Sequence, residues 1–143
     1  MGIGDKTLME KIDWDLLYSV ADRYRKNAYA PYSHFQVGAA VLGNSGEIYG
    51  GCNVENASYG LTQCAERNAI SAAVGNGETE IKAILILTDT DSLTAPCGAC
   101  RQFIYELGSQ CQVRIMNTKG QYQSFLITSL LPEAFDSKYL PKE

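Results

Sequence analysis

Three cysteines and one glutamate stand in a pattern that can do chemistry. Cys64-Ala65-Glu66 places a carboxylate two residues after a thiol, and Pro96-Cys97-Gly98-Ala99-Cys100 adds two thiols at spacing three. Three thiolates fill three corners of a tetrahedron around Zn²⁺ and leave the fourth for water, whereas a structural zinc site is closed by a fourth protein ligand. A carboxylate beside an open position is a proton carrier. The ligand count therefore separates a reactive centre from a structural one.

The residues alone leave that count open. The remaining cysteines are Cys52 and Cys111, and His34 is the only histidine. Cys52 and Cys111 lie in strand patterns, where a lone cysteine is usually core filler. His34 lies in a loop. A single histidine excludes every zinc site that needs two, and any Ser-His-Asp or Cys-His chemistry would have to run through it. A CxxC at a helix start is also the pattern of a thioredoxin-like redox pair, but that reading leaves Cys64 and Glu66 without a role. Inert thiols are the third reading, and the pairing of the two segments places it last.

The elements that hold these residues sharpen the geometry. Cys97 and Cys100 open a helix, where spacing three puts both sulfurs on one face and the unpaired N–H groups favour thiolates. Cys64 opens another helix. In a regular helix Cys64 and Glu66 project about 200° apart, so they converge only on something lying off the helix end. A zinc between two helix N-termini meets that requirement. Three thiolates and Zn²⁺ leave a formal charge of −1, which weakens acidification of bound water. Arg67 is placed to donate to a sulfur and offset that charge.

Along the chain, Asp13 is the expected N-cap of a helix running to about Ala28, with Trp14, Leu17, Tyr18, Ala21 and Tyr24 on its apolar face. Tyr29 to Ser33 form a loop around Pro31. Val37 to Leu42 and Glu47 to Cys52 form a hairpin about Asn44-Ser45-Gly46. The small residues Gly38, Ala39 and Ala40 suit close packing of a helix or a substrate. Asn53 to Gly60 make a polar loop. A helix spans Thr62 to Val74, and Ile81 to Thr88 is a near-continuous apolar strand, central and covered on both faces. Asp89 to Pro96 are a loop, and Cys97 to Leu107 a helix. Strands follow at Cys111 to Asn117 and Gln121 to Leu126. A short last helix starts at Ser129 and holds Leu130, Leu131, Ala134 and Phe135. Helices interleaved with five strands in the order α-β-β-α-β-α-β-β-α imply an α/β fold, a three-layer α-β-α sandwich around a five-stranded mixed sheet. The expected division is a tail at 1–12, one catalytic domain at 13–136 and a tail at 137–143.

The 143 residues suffice for one domain with a buried core. Met1 to Lys11 are polar and lack the apolar stretch of a signal peptide. No apolar run approaches the roughly 20 residues of a membrane span. An odd number of cysteines points away from a disulfide framework and towards a reducing compartment, the cytoplasm. Net charge is −4 and the pI about 5.0. The 12 Lys and Arg are scattered, which disfavours a nucleic-acid polymer as partner.

At these motifs the chain resembles the zinc-dependent nucleoside and nucleobase deaminases, whose pattern is His or Cys, x, Glu, then Pro-Cys-x-x-Cys. Ala30-Pro31-Tyr32-Ser33, Val37 to Ala40, Gly51 to Gly60, Cys64 to Arg67 and Pro96 to Gln102 narrow the resemblance to cytidine deaminases of the small, homotetrameric, all-cysteine type. It covers about Asn27 to Phe135. Asp136 departs from the glycine that often follows the C-terminal phenylalanine in that family.

The resemblance implies one Zn²⁺ per subunit on Cys64, Cys97 and Cys100, with Glu66 as the proton shuttle and Arg67 on a zinc thiolate. It implies that Asn53 and Glu55 hydrogen-bond the ribose hydroxyls and that Phe35 packs on the pyrimidine. The Ala65 backbone contacts the base, Ala57 belongs to the substrate loop, and Tyr59 and Phe135 help build a neighbouring subunit's site. The implied reaction is hydrolytic deamination of free cytidine and 2′-deoxycytidine to uridine and 2′-deoxyuridine. In it Zn²⁺ lowers the pKa of water toward ~7, and Glu66 moves protons to N3 and then to the departing amine. The implied assembly is a homotetramer with shared sites, with no membrane and no polymer partner. The competing readings are a deaminase of another amino-pyrimidine, a nucleic-acid editor and a non-enzymatic structural zinc module. The hydroxyl-binding loop Asn53–Tyr59 favours a ribose over the first, and the acidic pI disfavours the second.

Overall fold

Asp13 starts the first helix as its sequence suggests. Its Oδ1 accepts from the Leu16 N–H at 3.0 Å, and helix α1 runs Trp14–Arg25. The computed structural model describes residues 11–141, so most of the expected N-terminal tail lies outside the described residues. The remaining elements are β1 (Val37–Gly43), β2 (Ile48–Cys52), a 3₁₀ turn (Tyr59–Leu61), α2 (Ala65–Gly75), β3 (Ile81–Thr88), α3 (Gly98–Leu107), β4 (Gln112–Asn117), β5 (Tyr122–Leu126), α4 (Ile127–Leu130) and a second 3₁₀ turn (Ser137–Tyr139).

The five strands form one mixed sheet in the order β2-β1-β3-β4-β5. β1 is antiparallel to both β2 and β3, β3 is parallel to β4, and β4 is antiparallel to β5. Side chains alternate across a strand, and β3 is buried on both faces for that reason. Ala83, Leu85 and Leu87 pack with Ala40 and with Leu17 and Ala21 of α1. Ile84 and Ile86 pack with Ala65, Ala69, Ile70 and Ala73 of α2 and Ile104 of α3. One helix covers one face and two cover the other, which gives the expected three-layer sandwich.

Two glycines set how closely the layers approach. A Cβ on Gly38 would lie 2.0 Å from the Ala21 carbonyl oxygen, so α1 rests directly on β1. A Cβ on Gly51 would lie 2.4 Å from the Ala69 nitrogen and 2.7 Å from the Ala65 oxygen, so α2 rests on β2 from the other side. The small residues of β1 therefore serve a helix.

Several boundaries differ from expectation, each for a local reason. α1 ends at Arg25 rather than near Ala28, because Tyr29 is drawn into a bridge with Val54 and donates to the Asn53 carbonyl at 3.0 Å. α2 begins at Ala65 rather than Thr62, because Gln63 exchanges two backbone hydrogen bonds with Val54, each 2.9 Å. The last helix is Ile127–Leu130, not a helix from Ser129 through Phe135. Pro132 lacks an N–H and disfavours helical Leu131. Glu133 then takes φ 52°, and Ala134 and Phe135 leave the helix. Ser137–Tyr139, expected as tail, form a turn capped by Asp136, with the Tyr139 ring stacked on Phe135 at 5.7 Å.

Candidate metal centre and pocket

The two cysteine segments meet at two helix starts. Cys64 is the N-cap of α2 and Cys97 the N-cap of α3, both with extended backbone and neither using its sulfur to cap the helix. Cys100 lies in the first turn of α3 and is fully buried. The sulfurs of Cys64, Cys97 and Cys100 all lie within 4.8 Å of one another. Tetrahedral zinc with Zn–S of ~2.3 Å needs sulfurs ~3.8 Å apart, so this set fits the ion with a small adjustment. Among the described residues no histidine, carboxylate or further cysteine joins the group. Cys111 is in the core, Cys52 ends β2, and His34 is exposed. The fourth position therefore has no protein ligand, which favours the open site over the closed one.

Arg67 completes the charge balance. Its Nη2 donates to the Cys64 sulfur at 3.5 Å, and its Nε is the one buried side-chain nitrogen or oxygen without a partner among the described residues. An orphaned guanidinium donor beside three sulfurs is what a thiolate cluster would satisfy. The Cys64 thiol is drawn down to about 5, first by the hydrogen bond from Cys100; burial opposes this and Arg67 reinforces it. The Cys100 thiol is pushed far up by the same pairing. The two sulfurs thus share a proton, which a divalent cation would displace.

Glu66 follows from the helix start. It is 6% exposed, in the first turn of α2. Burial raises its pKa above the ordinary carboxylate value. The carboxylate stands outside the ligand group yet lines the same pocket as Cys64 and Cys97.

That pocket has a volume of about 220 Å³. Phe35, Val37 and Ile86 make its apolar side, Asn53, Thr62, Gln63 and Thr88 its polar points, and Ala65, Thr94 and Ala95 close it. Thr62 also lines a second, more open cavity of about 370 Å³ with Tyr32, Ser33, Glu55, Asn56 and Tyr59. The structure thus places Phe35, Asn53, Cys64, Ala65, Glu66 and Cys97 on one pocket and Glu55 and Tyr59 on its neighbour. Ala57 and Phe135 line neither. Phe135 is 55% exposed, and its carbonyl accepts from Gln102 Nε2 at 2.9 Å.

Asn53 has a task the sequence does not disclose. Its Oδ1 accepts from the Val37 N–H at 2.9 Å and its Nδ2 donates to the Phe35 carbonyl at 2.7 Å. It anchors the start of β1 and keeps one N–H and one lone pair for a ligand. Glu55 is held by the Tyr32 and Ser33 N–H groups at 3.0 and 3.1 Å and by the Ser33 hydroxyl. These donors, the Ser33 side chain first, hold its pKa below the ordinary value. Val37, Ile86, Thr88, Thr94 and Ala95 complete the wall without standing out in the sequence. The signal available for Thr88 is its place at the carboxyl end of the central strand, where open α/β sheets bind ligands.

Known proteins share this sequence and fold. Residues 13–116 match the family model described as the cytidine and deoxycytidylate deaminase zinc-binding region. The chain is 42% identical over 130 residues to the cytidine deaminase of Sporosarcina psychrophila, covering 90% of this chain and 96% of the relative. It is 44% identical over 128 residues to that of Halalkalibacterium halodurans, covering 89% and 97%. The crystal structure of cytidine deaminase from Burkholderia pseudomallei superposes with a TM-score of 0.83 at 44% identity, over 87% of this chain and all of that one. That from Mycobacterium tuberculosis gives 0.77 at 37% identity, over 88% and 99%. A Cys₃ group at two helix starts with a buried glutamate beside it, on a fold shared at this identity, places the chain in the zinc-binding cytidine and deoxycytidylate deaminase family.

Proposed function

We propose that the protein hydrolytically deaminates free cytidine and 2′-deoxycytidine to uridine and 2′-deoxyuridine with release of ammonia. The observation that carries this reading is the buried Glu66 on the same pocket as Cys64 and Cys97, next to a three-sulfur group with no fourth protein ligand.

Cys64, Cys97 and Cys100 would hold one Zn²⁺ per subunit. When bound, the ion supplies Lewis acidity that brings the pKa of water toward ~7. Glu66 accepts the proton of the attacking water and delivers it to N3 of the pyrimidine, which makes C4 electrophilic. It then carries a proton to the exocyclic amine, which departs as ammonia while the water oxygen becomes the C4 carbonyl. A raised carboxylate pKa lies nearer those of both proton partners and aids both transfers. Phe35, Val37 and Ile86 exclude water from the ring, and the Ala65 backbone faces the base. Asn53 donates to and accepts from the ribose hydroxyls, and Glu55 accepts from one. Glu55 uses three acceptor sites on Tyr32 and Ser33 and keeps one of its roughly four for a hydroxyl.

The outer cavity supports a nucleoside over its monophosphate. Glu55 is ionised at neutral pH, and no Lys or Arg lines that cavity. A phosphate there would face a carboxylate with no counter-charge. An apolar fringe supports a homotetramer with shared sites. Tyr59 is 77% exposed, and Tyr32, Leu61 and Phe135 are also well exposed. Exposed apolar side chains of this size mark contact surfaces, and neighbouring copies would bring Tyr59 and Phe135 to each other's pockets. Free thiols at the centre agree with a reducing, cytoplasmic setting. No helix among the described residues is long and apolar enough to cross a membrane.

The test is the loss of ultraviolet absorbance when zinc-loaded protein meets free cytidine, run beside 2′-deoxycytidine and deoxycytidylate. Turnover of both nucleosides with neglect of the nucleotide is expected. Turnover of deoxycytidylate alone would overturn the nucleoside reading.

A further inference from the structure

The loop between β3 and α3 forms neither helix nor strand from Asp89 to Cys97. Its residues Thr94 and Ala95 nevertheless make one wall of the inner pocket. Something other than a backbone ladder must hold that wall in place. Thr88, the last residue of β3, is 1% exposed, lines the same pocket and pairs in register with Val37. Alternation along β3 turns Thr88 to the face of Ile84 and Ile86.

The Thr88 hydroxyl lies 2.8 Å from the Thr90 hydroxyl, and the Thr90 hydroxyl donates to the Ser92 carbonyl at 2.6 Å. A hydroxyl has one proton. That of Thr90 is committed to Ser92, so Thr88 is the donor to Thr90. The bonds form a directed relay from the strand end into the loop. A buried hydroxyl without a partner is costly, and valine would fill the same volume at no such cost. The relay explains why a threonine stands at the end of an otherwise apolar strand. The backbone at its origin is fixed too, because the Thr88 carbonyl accepts from the Thr118 N–H at 3.1 Å.

We propose that Thr88 is a positioning residue: through Thr90 it holds the Ser92–Ala95 wall of the pocket and so sets how firmly the nucleobase is gripped. This rests on the reading of the pocket as a nucleobase site. The relay itself is independent of the chemistry, so two readouts separate the two ideas.

Thr88→Val keeps the volume and removes the donor. Its KM for cytidine should rise ~5-fold, the effect of one neutral hydrogen bond, with little change in kcat and unchanged zinc content. Thr90→Val should reproduce that rise, and Thr88→Ser, which keeps the donor, should lie nearer to wild type than Thr88→Val does. Amide hydrogen exchange at Leu93, Thr94 and Ala95 should quicken in both valine variants while that of α2 stays as in wild type. Greater damage from Thr88→Ser than from Thr88→Val would show that side-chain volume matters and the relay does not. Unchanged exchange at residues 93–95 in Thr88→Val would overturn the relay whether or not the protein accepts cytidine. Absence of cytidine turnover in the wild type would overturn the nucleobase reading, and the exchange comparison would still decide the relay.

Discussion

Glu66 and Arg67 are adjacent in sequence but answer to different physics. Glu66 is a carboxylate deprived of water, so its neutral form is favoured. Glu66→Gln preserves shape and removes the charge that burial penalises. It is expected to bind zinc, to melt no lower than wild type, and to lose at least ~10²-fold in kcat. Steady-state rates with metal analysis on the same sample check this; near-normal turnover would remove Glu66 from proton transfer. Arg67 acts on the sulfurs, and its own pKa is raised chiefly by Cys64. Arg67→Met removes the charge that favours the Cys64 thiolate, so protons compete better with the metal. Zinc affinity should fall ~10–100-fold, the range for losing such a partner, with release beginning at higher pH. Chelator competition across pH measures it.

At the scale of elements, the site depends on where helix α2 lies. The Ala65–Ala69 segment of α2 meets β2 at Gly51, with no room for a side chain between them. Gly51→Ala must push back the turn that carries Cys64 and Glu66. A loss of ~1–3 kcal/mol in urea unfolding is expected from overpacking, together with weaker zinc binding. Unchanged stability would mean that the helix can shift freely. Element existence and type were legible from periodicity, from the Asp13 cap and from the apolar run of β3. Boundaries were not, because Tyr29, Val54 and Gln63 form isolated bridges between residues distant in sequence. The last helix is shorter than its pattern implies: Leu130, Leu131, Ala134 and Phe135 have helical spacing, but Pro132 ends the helix before the spacing is used.

The whole molecule responds to acid through carboxylates that knit loops together. Glu78, 8% exposed, accepts from the Ser45 N–H and hydroxyl and from the Tyr49 hydroxyl at 2.7 Å. It ties the loop after α2 to the β1–β2 hairpin, and Glu55 ties the loop before β1 to the loop after β2. Both pKa values are lowered below 4.5, in each case first by the serine side chain. A depressed folded pKa stabilises the fold above the unfolded value and is lost as pH falls through the folded one. The stabilisation from these two carboxylates is therefore expected to be constant above about pH 5 and to be lost below it. Glu78→Gln should flatten the acid limb while lowering stability at neutral pH. Urea midpoints from pH 3 to 7 test this, and an unchanged acid limb in that variant would exclude Glu78 as a contributor.

The sequence by itself determined the chemistry of the centre. Three thiols and a carboxylate at those spacings, each at a helix start, are a local pattern, and helix N-termini favour anions wherever they occur. It also determined the layer order, since β3 is apolar at nearly every position and must be covered twice. Only the tertiary structure decided the ligand count, because it takes folded coordinates to show that Cys52, Cys111 and His34 stay away from the three sulfurs. It likewise decided that Asn53 anchors β1, that Glu55 faces a separate outer cavity, and that Thr88 reaches the pocket. Those facts depend on hydrogen bonds and strand neighbours between segments far apart in the chain, and residue spacing carries no record of them.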